Sequence, residues 1–120
     1  MDLAIVHRSM AFGVVGIVLL VGIESASRAV TRRPPGRLSA WLSAIASLAL
    51  VVTIGFGLAL LFGGSQPAES LHFMYAVLAL AAIPIVQAYV PKDNPRRLGW
   101  ATVLGVLLTL VLIWRLFSTG

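Results

Sequence analysis

Long stretches of apolar residues alternate with short polar connections along this chain of 120 residues. A helix needs about 20 apolar residues to cross the roughly 30 Å of hydrocarbon in a bilayer, and each stretch is close to that length. We therefore predict an all-α integral membrane protein whose four helices cover approximately residues 3–26, 38–62, 71–90 and 98–117.

The connections contain the residue types that end helices. They carry Pro-Pro-Gly at 34–36, Gly-Gly-Ser-Gln-Pro at 63–67 and Pro-Lys-Asp-Asn-Pro at 91–95. Connections this short make successive helices alternate in direction, which favours an up-down four-helix bundle in a single domain, residues 1–120. Strands are disfavoured because a membrane barrel needs many short segments of alternating polarity.

Small residues indicate where the helices pack, because they let the backbones of membrane helices approach closely. We expect such contacts at Ala11, Gly13, Gly16 and Gly22 in the first helix and at Ala76, Ala79, Ala81 and Ala82 in the third. Gly55 and Gly57 are interpreted as packing positions too, because no strand precedes them as a nucleotide site requires. Glu24 lies four residues before Arg28, a spacing typical of an ion pair within a helix.

Composition supports lipid as the main solvent of the chain. Hydrophobic residues make up 59% of it and charged residues 11%, with a mean hydropathy of +0.99, whereas a water-soluble domain needs more charge on its surface. The net charge of +5 comes from basic residues that collect between the apolar stretches, where lipid head groups would meet them. No aromatic residues alternate with these cations as a base-stacking surface requires, so nucleic acid is not a predicted partner.

The basic residues also predict an orientation. Seven flank or occupy the first and third connections, whereas two lie at the opposite ends of the helices, and an excess of Lys and Arg marks the cytoplasmic side. We expect a multi-pass protein of the bacterial plasma membrane with both termini extracytoplasmic. The seven are Arg28, Arg32, Arg33, Arg37, Lys92, Arg96 and Arg97, and the two are Arg8 and Arg115.

The two halves of the chain share landmarks in the same order. The first and third helices open with His7-Arg8-Ser9-Met10-Ala11 and His72-Phe73-Met74-Tyr75-Ala76, both of the form H-x-x-x-A. The second and fourth open with Arg37-Leu38-Ser39-Ala40-Trp41 and Arg97-Leu98-Gly99-Trp100. This order indicates two duplicated helical hairpins.

His7 and His72 are the candidate ligands of a b-type haem. They hold equivalent positions on two parallel helices, so we expect both imidazoles at one depth, where paired ring nitrogens can bind a haem iron. Ala11, Ala76 and Ala79 would leave room for the porphyrin, Arg8 would neutralise a propionate and Tyr75 would hydrogen-bond one. The alternative is that each imidazole lies in the head-group region, satisfied by water, and binds nothing.

The segments IVHRSMAFGVV and SLHFMYAVLALAAIP resemble the ligand helices of membrane cytochromes b, and in particular one half of a haem A synthase. The resemblance implies His7 and His72 as haem b ligands and Arg8 as a propionate neighbour. The chain lacks the second half of that enzyme, and Val6 stands where its glutamate precedes the His-Arg pair. The resemblance therefore implies electron transfer or a structural haem rather than oxidation of haem.

Our leading hypothesis is a membrane electron-transfer protein, a small subunit of a respiratory or photosynthetic complex. Its expected partners are the lipid bilayer, larger membrane subunits and a nearby quinone. No nucleophile, base and orienting group occur together, so we do not expect an enzyme by itself. Two alternatives stay open: a haem-free accessory subunit of such a complex, and a small transporter component.

Overall fold

The computed structural model describes residues 2–64 and 71–119 and places four helices in them. They are α1 (Leu3–Thr31), α2 (Arg37–Phe62), α3 (Leu71–Tyr89) and α4 (Pro95–Thr119). Each is long and apolar enough to cross a membrane, so the prediction of an all-α fold with four such helices is confirmed. The predicted turn at 63–67 falls largely outside the described residues, which stop at Gly64 and resume at Leu71.

Two helices are longer than their apolar stretches. At the end of α1, Arg32 adopts a left-handed backbone conformation with a φ of 59°, and its N–H donates to the carbonyl of Arg28. At the start of α4, the Asn94 Oδ1 atom accepts a hydrogen bond of 3.1 Å from the N–H of Arg97. Asn94 thus caps a helix that begins with a proline, a residue well suited to the first helical position.

Contacts between opposite ends of neighbouring helices show that the chain alternates in direction. His7 near the start of α1 contacts Thr53 in the second half of α2, and Glu24 near the end of α1 contacts Ser39 at the start of α2. We call the end of the bundle that contains residues 32–36 and 90–94 the arginine end, and the opposite end the histidine end.

The closest helix approach joins α1 to α4. A Cβ atom added at Gly99 would lie 2.8 Å from the Cβ of Ala29 and 2.9 Å from the carbonyl oxygen of Ser25. One added at Gly22 would lie 2.9 Å from Cγ1 of Val106. The backbones of α1 and α4 therefore touch at Gly99, while Gly22 leaves room for the Val106 side chain. This antiparallel contact forms the centre of the molecule.

The other pairs differ in how tightly they pack. Gly105 of α4 lies against Ile83 of α3, where an added Cβ would be 3.3 Å from the Ile83 Cα. Within the described residues, α2 packs along α1 but barely contacts α3. The packing order is therefore α2, α1, α4, α3, and the two outer helices have little contact with each other.

The predicted packing role of small residues in α1 is correct at Gly22 and wrong at Gly13 and Gly16. A Cβ atom at either of these two glycines would meet no atom within 4 Å among the described residues, because both lie on the outer surface of α1. The sequence pattern contained small residues but did not indicate which face of the helix they occupy.

A buried polar cluster joins α1 to α2 near the arginine end. The predicted ion pair is present, with 2.8 Å between Arg28 Nε and Glu24 Oε1, and the two side chains are only 4% and 15% exposed. Ser39 donates to the same carboxylate oxygen at 2.6 Å, and Arg28 Nη2 donates to Ser25 Oγ at 3.2 Å. The carboxylate therefore compensates a buried cation and also connects the two helices of the first hairpin.

The α1–α4 contact predicts opposite effects for one substitution at two glycines. Gly99→Ala should lower the free energy of unfolding in detergent by about 1–3 kcal/mol, because its methyl group enters a filled space. Gly16→Ala should leave it unchanged or raise it by up to about 1 kcal/mol through better helix propensity. Equal effects of the two substitutions in a denaturant titration would contradict this packing.

The buried ion pair predicts a large cost for removing one charge. Glu24→Gln should lower the free energy of unfolding by about 3 kcal/mol, the lower end of the range for a broken buried pair, since the Glu24 side chain retains some contact with solvent. Asp93→Asn, the same change at an exposed position, should cost less than about 0.5 kcal/mol. Comparable losses for both variants would mean that the Arg28 charge does not depend on Glu24.

Candidate cofactor site

A cavity of about 370 Å³ lies at the histidine end and is lined by all four helices. Its volume falls within the range of about 300–1,000 Å³ that small-molecule sites occupy, and it is partly open to the outside. Its walls are mostly apolar. The lining residues are Ala4, His7, Arg8, Ala11 and Val14 of α1; Leu50, Thr53, Ile54, Gly57, Leu58, Leu60 and Leu61 of α2; His72, Phe73 and Ala76 of α3; and Ile113, Leu116 and Phe117 of α4.

His7 crosses from α1 to the main chain of α2. Its Nδ1 atom lies 2.9 Å from the carbonyl oxygen of Thr53. Because a carbonyl can only accept a hydrogen bond, Nδ1 carries the proton, and in the neutral ring Nε2 keeps its lone pair. In that neutral form, Nε2 is the ring atom that can bind a metal.

His72 is held in the same way by the second hairpin. Its imidazole donates a hydrogen bond to the main-chain carbonyl of Leu116 in α4 and lies close enough to His7 for the two rings to interact electrostatically. The ring of Phe73 meets it edge-on, with 6.1 Å between the ring centroids. The structure therefore brings both predicted histidines to one cavity, each anchored on the helix that follows its own.

The space beside the histidines comes from small residues. Ala11 lies one turn after His7, Ala76 lies one turn after His72, and both line the cavity. Ala79, also expected to make room, is instead packed inside the bundle and is only 1% exposed. Of the three alanines predicted to make room, Ala11 and Ala76 therefore line the cavity, whereas Ala79 packs between helices.

The two predicted propionate neighbours occupy different places. Arg8 lines the cavity and is exposed to the outside. Tyr75 is not among the residues that line the cavity, and the guanidinium carbon of Arg115 lies 5.5 Å from the centre of its ring. Arg8 is therefore near the paired imidazoles, whereas Tyr75 contacts α4.

Two contributors to the site were not predicted from the sequence. The carbonyl of Thr53 accepts from His7, and Gly57 faces the same ring, with 3.1 Å between His7 Cε1 and a Cβ added at Gly57. Gly57 had been interpreted only as a helix-packing position. Gly57 lies four residues after Thr53, and this spacing is the one sequence feature that links the two. It could not be recognised in advance, because any residue type can supply a main-chain carbonyl as an acceptor.

The cavity combines apolar walls with two imidazole side chains, which are potential nitrogen ligands. Within residues 2–64 and 71–119, no three histidine, aspartate or glutamate side chains come together as the ligands of a metal ion. A porphyrin supplies the four equatorial ligands of its iron, so two imidazoles are the number of protein ligands that a six-coordinate haem requires.

No family model matches this chain, and comparisons with curated proteins and with solved structures also find no match. The resemblance to a haem A synthase therefore stays a prediction from the two histidine segments.

The cavity predicts that one substitution will have different effects at two alanines of α3. Ala76→Leu should change the free energy of unfolding by less than about 1 kcal/mol, because its side chain can enter the cavity. Ala79→Leu should lower it by about 1–3 kcal/mol through overpacking. A denaturant titration of both ligand-free variants in detergent measures the difference, and a large loss for Ala76→Leu would show that the cavity is not available.

Proposed function

We propose that this chain is a multi-pass membrane protein that binds one b-type haem between His7 and His72 and transfers electrons as a small subunit of a respiratory or photosynthetic complex. The observation that carries the proposal is the pair of imidazoles in one apolar cavity, each hydrogen-bonded to a main-chain carbonyl. Such outer hydrogen bonds orient metal-binding histidines and raise their basicity.

The proposed location is the bacterial plasma membrane, with the arginine end in the cytoplasm and both termini outside. Large apolar side chains are exposed along the helices, which suits contact with lipid. Trp41, Trp100 and Trp114 are exposed near helix ends, where tryptophan commonly anchors a protein at the membrane surface. The excess of basic residues at the arginine end supports the orientation.

The residues present fit a haem. His7 offers Nε2 because Nδ1 is already bonded to Thr53, and His72 faces the same cavity from a different helix. Arg8, which lines the cavity and is exposed, would neutralise a propionate. A bound haem would supply a one-electron couple.

The surroundings of the histidines suit electron transfer. The apolar side chains of the cavity would exclude water from the cofactor, and low polarity around a metal site is one factor that sets its reduction potential. His7 and His72 are each held by a hydrogen bond to a neighbouring helix. Little of the protein would therefore need to move when the haem iron gains or loses an electron. We propose larger membrane subunits and a quinone as the electron-transfer partners.

An absorbance spectrum tests this function. The protein purified with haem supplied during expression should show a sharp reduced-minus-oxidised band that is lost in His7→Ala and in His72→Ala. Ala76→Leu should also lose the band, because the leucine would occupy the haem space while the ligands remain. Ala88→Leu makes the same change at an exposed position of α3 and should retain it.

A folded, colourless wild-type protein would contradict haem binding and favour the haem-free accessory subunit. A band that survives removal of either histidine would contradict the assignment of the ligands.

A further inference from the structure

The hydrogen bond of His7 requires access to the backbone of another helix. Inside a helix, each carbonyl already accepts from the N–H four residues later, and the side chain at that later position leans back over it. An imidazole from a neighbouring helix is normally kept away by this side chain. Thr53 lies in the interior of α2, nine residues before its end, so its carbonyl is one that a side chain four residues later would normally cover.

The residue that would cover the Thr53 carbonyl is Gly57. A Cβ atom there would lie 3.1 Å from Cε1, 3.6 Å from Nε2 and 3.7 Å from Nδ1 of His7, so the ring occupies the space that a side chain would take. The hydroxyl of Thr53 does not compete for the ring, because it donates to the carbonyl of Ala49 at 2.7 Å.

We propose that Gly57 and the Thr53 carbonyl form a seat for His7 that fixes its ring orientation and holds its proton on Nδ1, so that Nε2 is the ligand atom. Gly57 acts as a positioning residue: it exposes the acceptor and admits the ring. The inference rests on the proposed function in one respect, that the ligand bound by His7 is a haem. The assigned tautomer of His7 can be measured in the haem-free protein.

The chain offers a matched pair of variants. Gly57→Ala places a methyl group against the His7 ring, whereas the same change at Gly55 meets no atom within 4 Å among the described residues. We expect Gly57→Ala to weaken haem binding about 10–100-fold, as loss of an outer hydrogen bond to a ligand typically does. The midpoint potential of the haem that remains should rise, because a less basic imidazole stabilises the oxidised iron less. Gly55→Ala should leave both quantities unchanged.

A second measurement needs no haem. The ¹⁵N spectrum of histidine-labelled, haem-free protein in detergent distinguishes the two neutral tautomers, and a His72→Ala variant assigns the signals of His7. We expect the wild-type and Gly55→Ala proteins to carry the His7 proton on Nδ1, and Gly57→Ala to shift the population towards Nε2.

The two readouts separate the proposals. Tautomer signals as expected in a protein that binds no haem would overturn the proposed function and leave the seat established. Haem binding through His7 with the proton on Nε2 in the wild-type protein, or with equal affinity in Gly57→Ala and Gly55→Ala, would overturn the seat and leave the function intact.

Discussion

Polar groups inside this bundle are stabilised by partners within the chain, and this constraint shapes both ends of the molecule. Among the described residues, one buried side-chain atom, Nη1 of Arg28, has no hydrogen-bond partner. A buried hydrogen-bonding group without a partner costs several kilocalories per mole in an apolar environment, and a buried charge costs more. The hydroxyls of Thr102 and Thr109, both fully buried, donate to carbonyls one turn earlier. His7 instead uses a main-chain carbonyl of α2, while Arg28 uses the carboxylate of Glu24.

The fold was predictable where it depends on the length and polarity of segments. Four long apolar stretches separated by helix-ending residues were enough to predict four helices of membrane-spanning length. The ends were less predictable, because hydropathy reports where the apolar stretch stops, whereas helices continue until a cap or a left-handed residue ends them. Asn94 and Arg32 supply those ends and lie outside the apolar stretches.

The site was predictable to the extent that it consists of distinctive side chains. Two histidines in equivalent positions were sufficient to place two imidazoles at one end of the bundle. The acceptors that fix them are main-chain carbonyls of Thr53 and Leu116, and neither residue type indicates such a role. The difference between Gly57, which touches the histidine, and Gly55, which faces open space, depends on the rotation of α2 about its axis and appears only when the helices are packed.

The pairing of Arg28 with Glu24 changes how charge is distributed between the two hairpins. Once that pair is counted as neutral, the exposed cations at the arginine end are Arg32, Arg33 and Arg37 on the first hairpin and Lys92, Arg96 and Arg97 on the second. Each hairpin therefore carries three exposed cations at the arginine end, and such cations influence the orientation of a membrane helix. In a bilayer, these cations would favour the same orientation for both hairpins, each independently of the other.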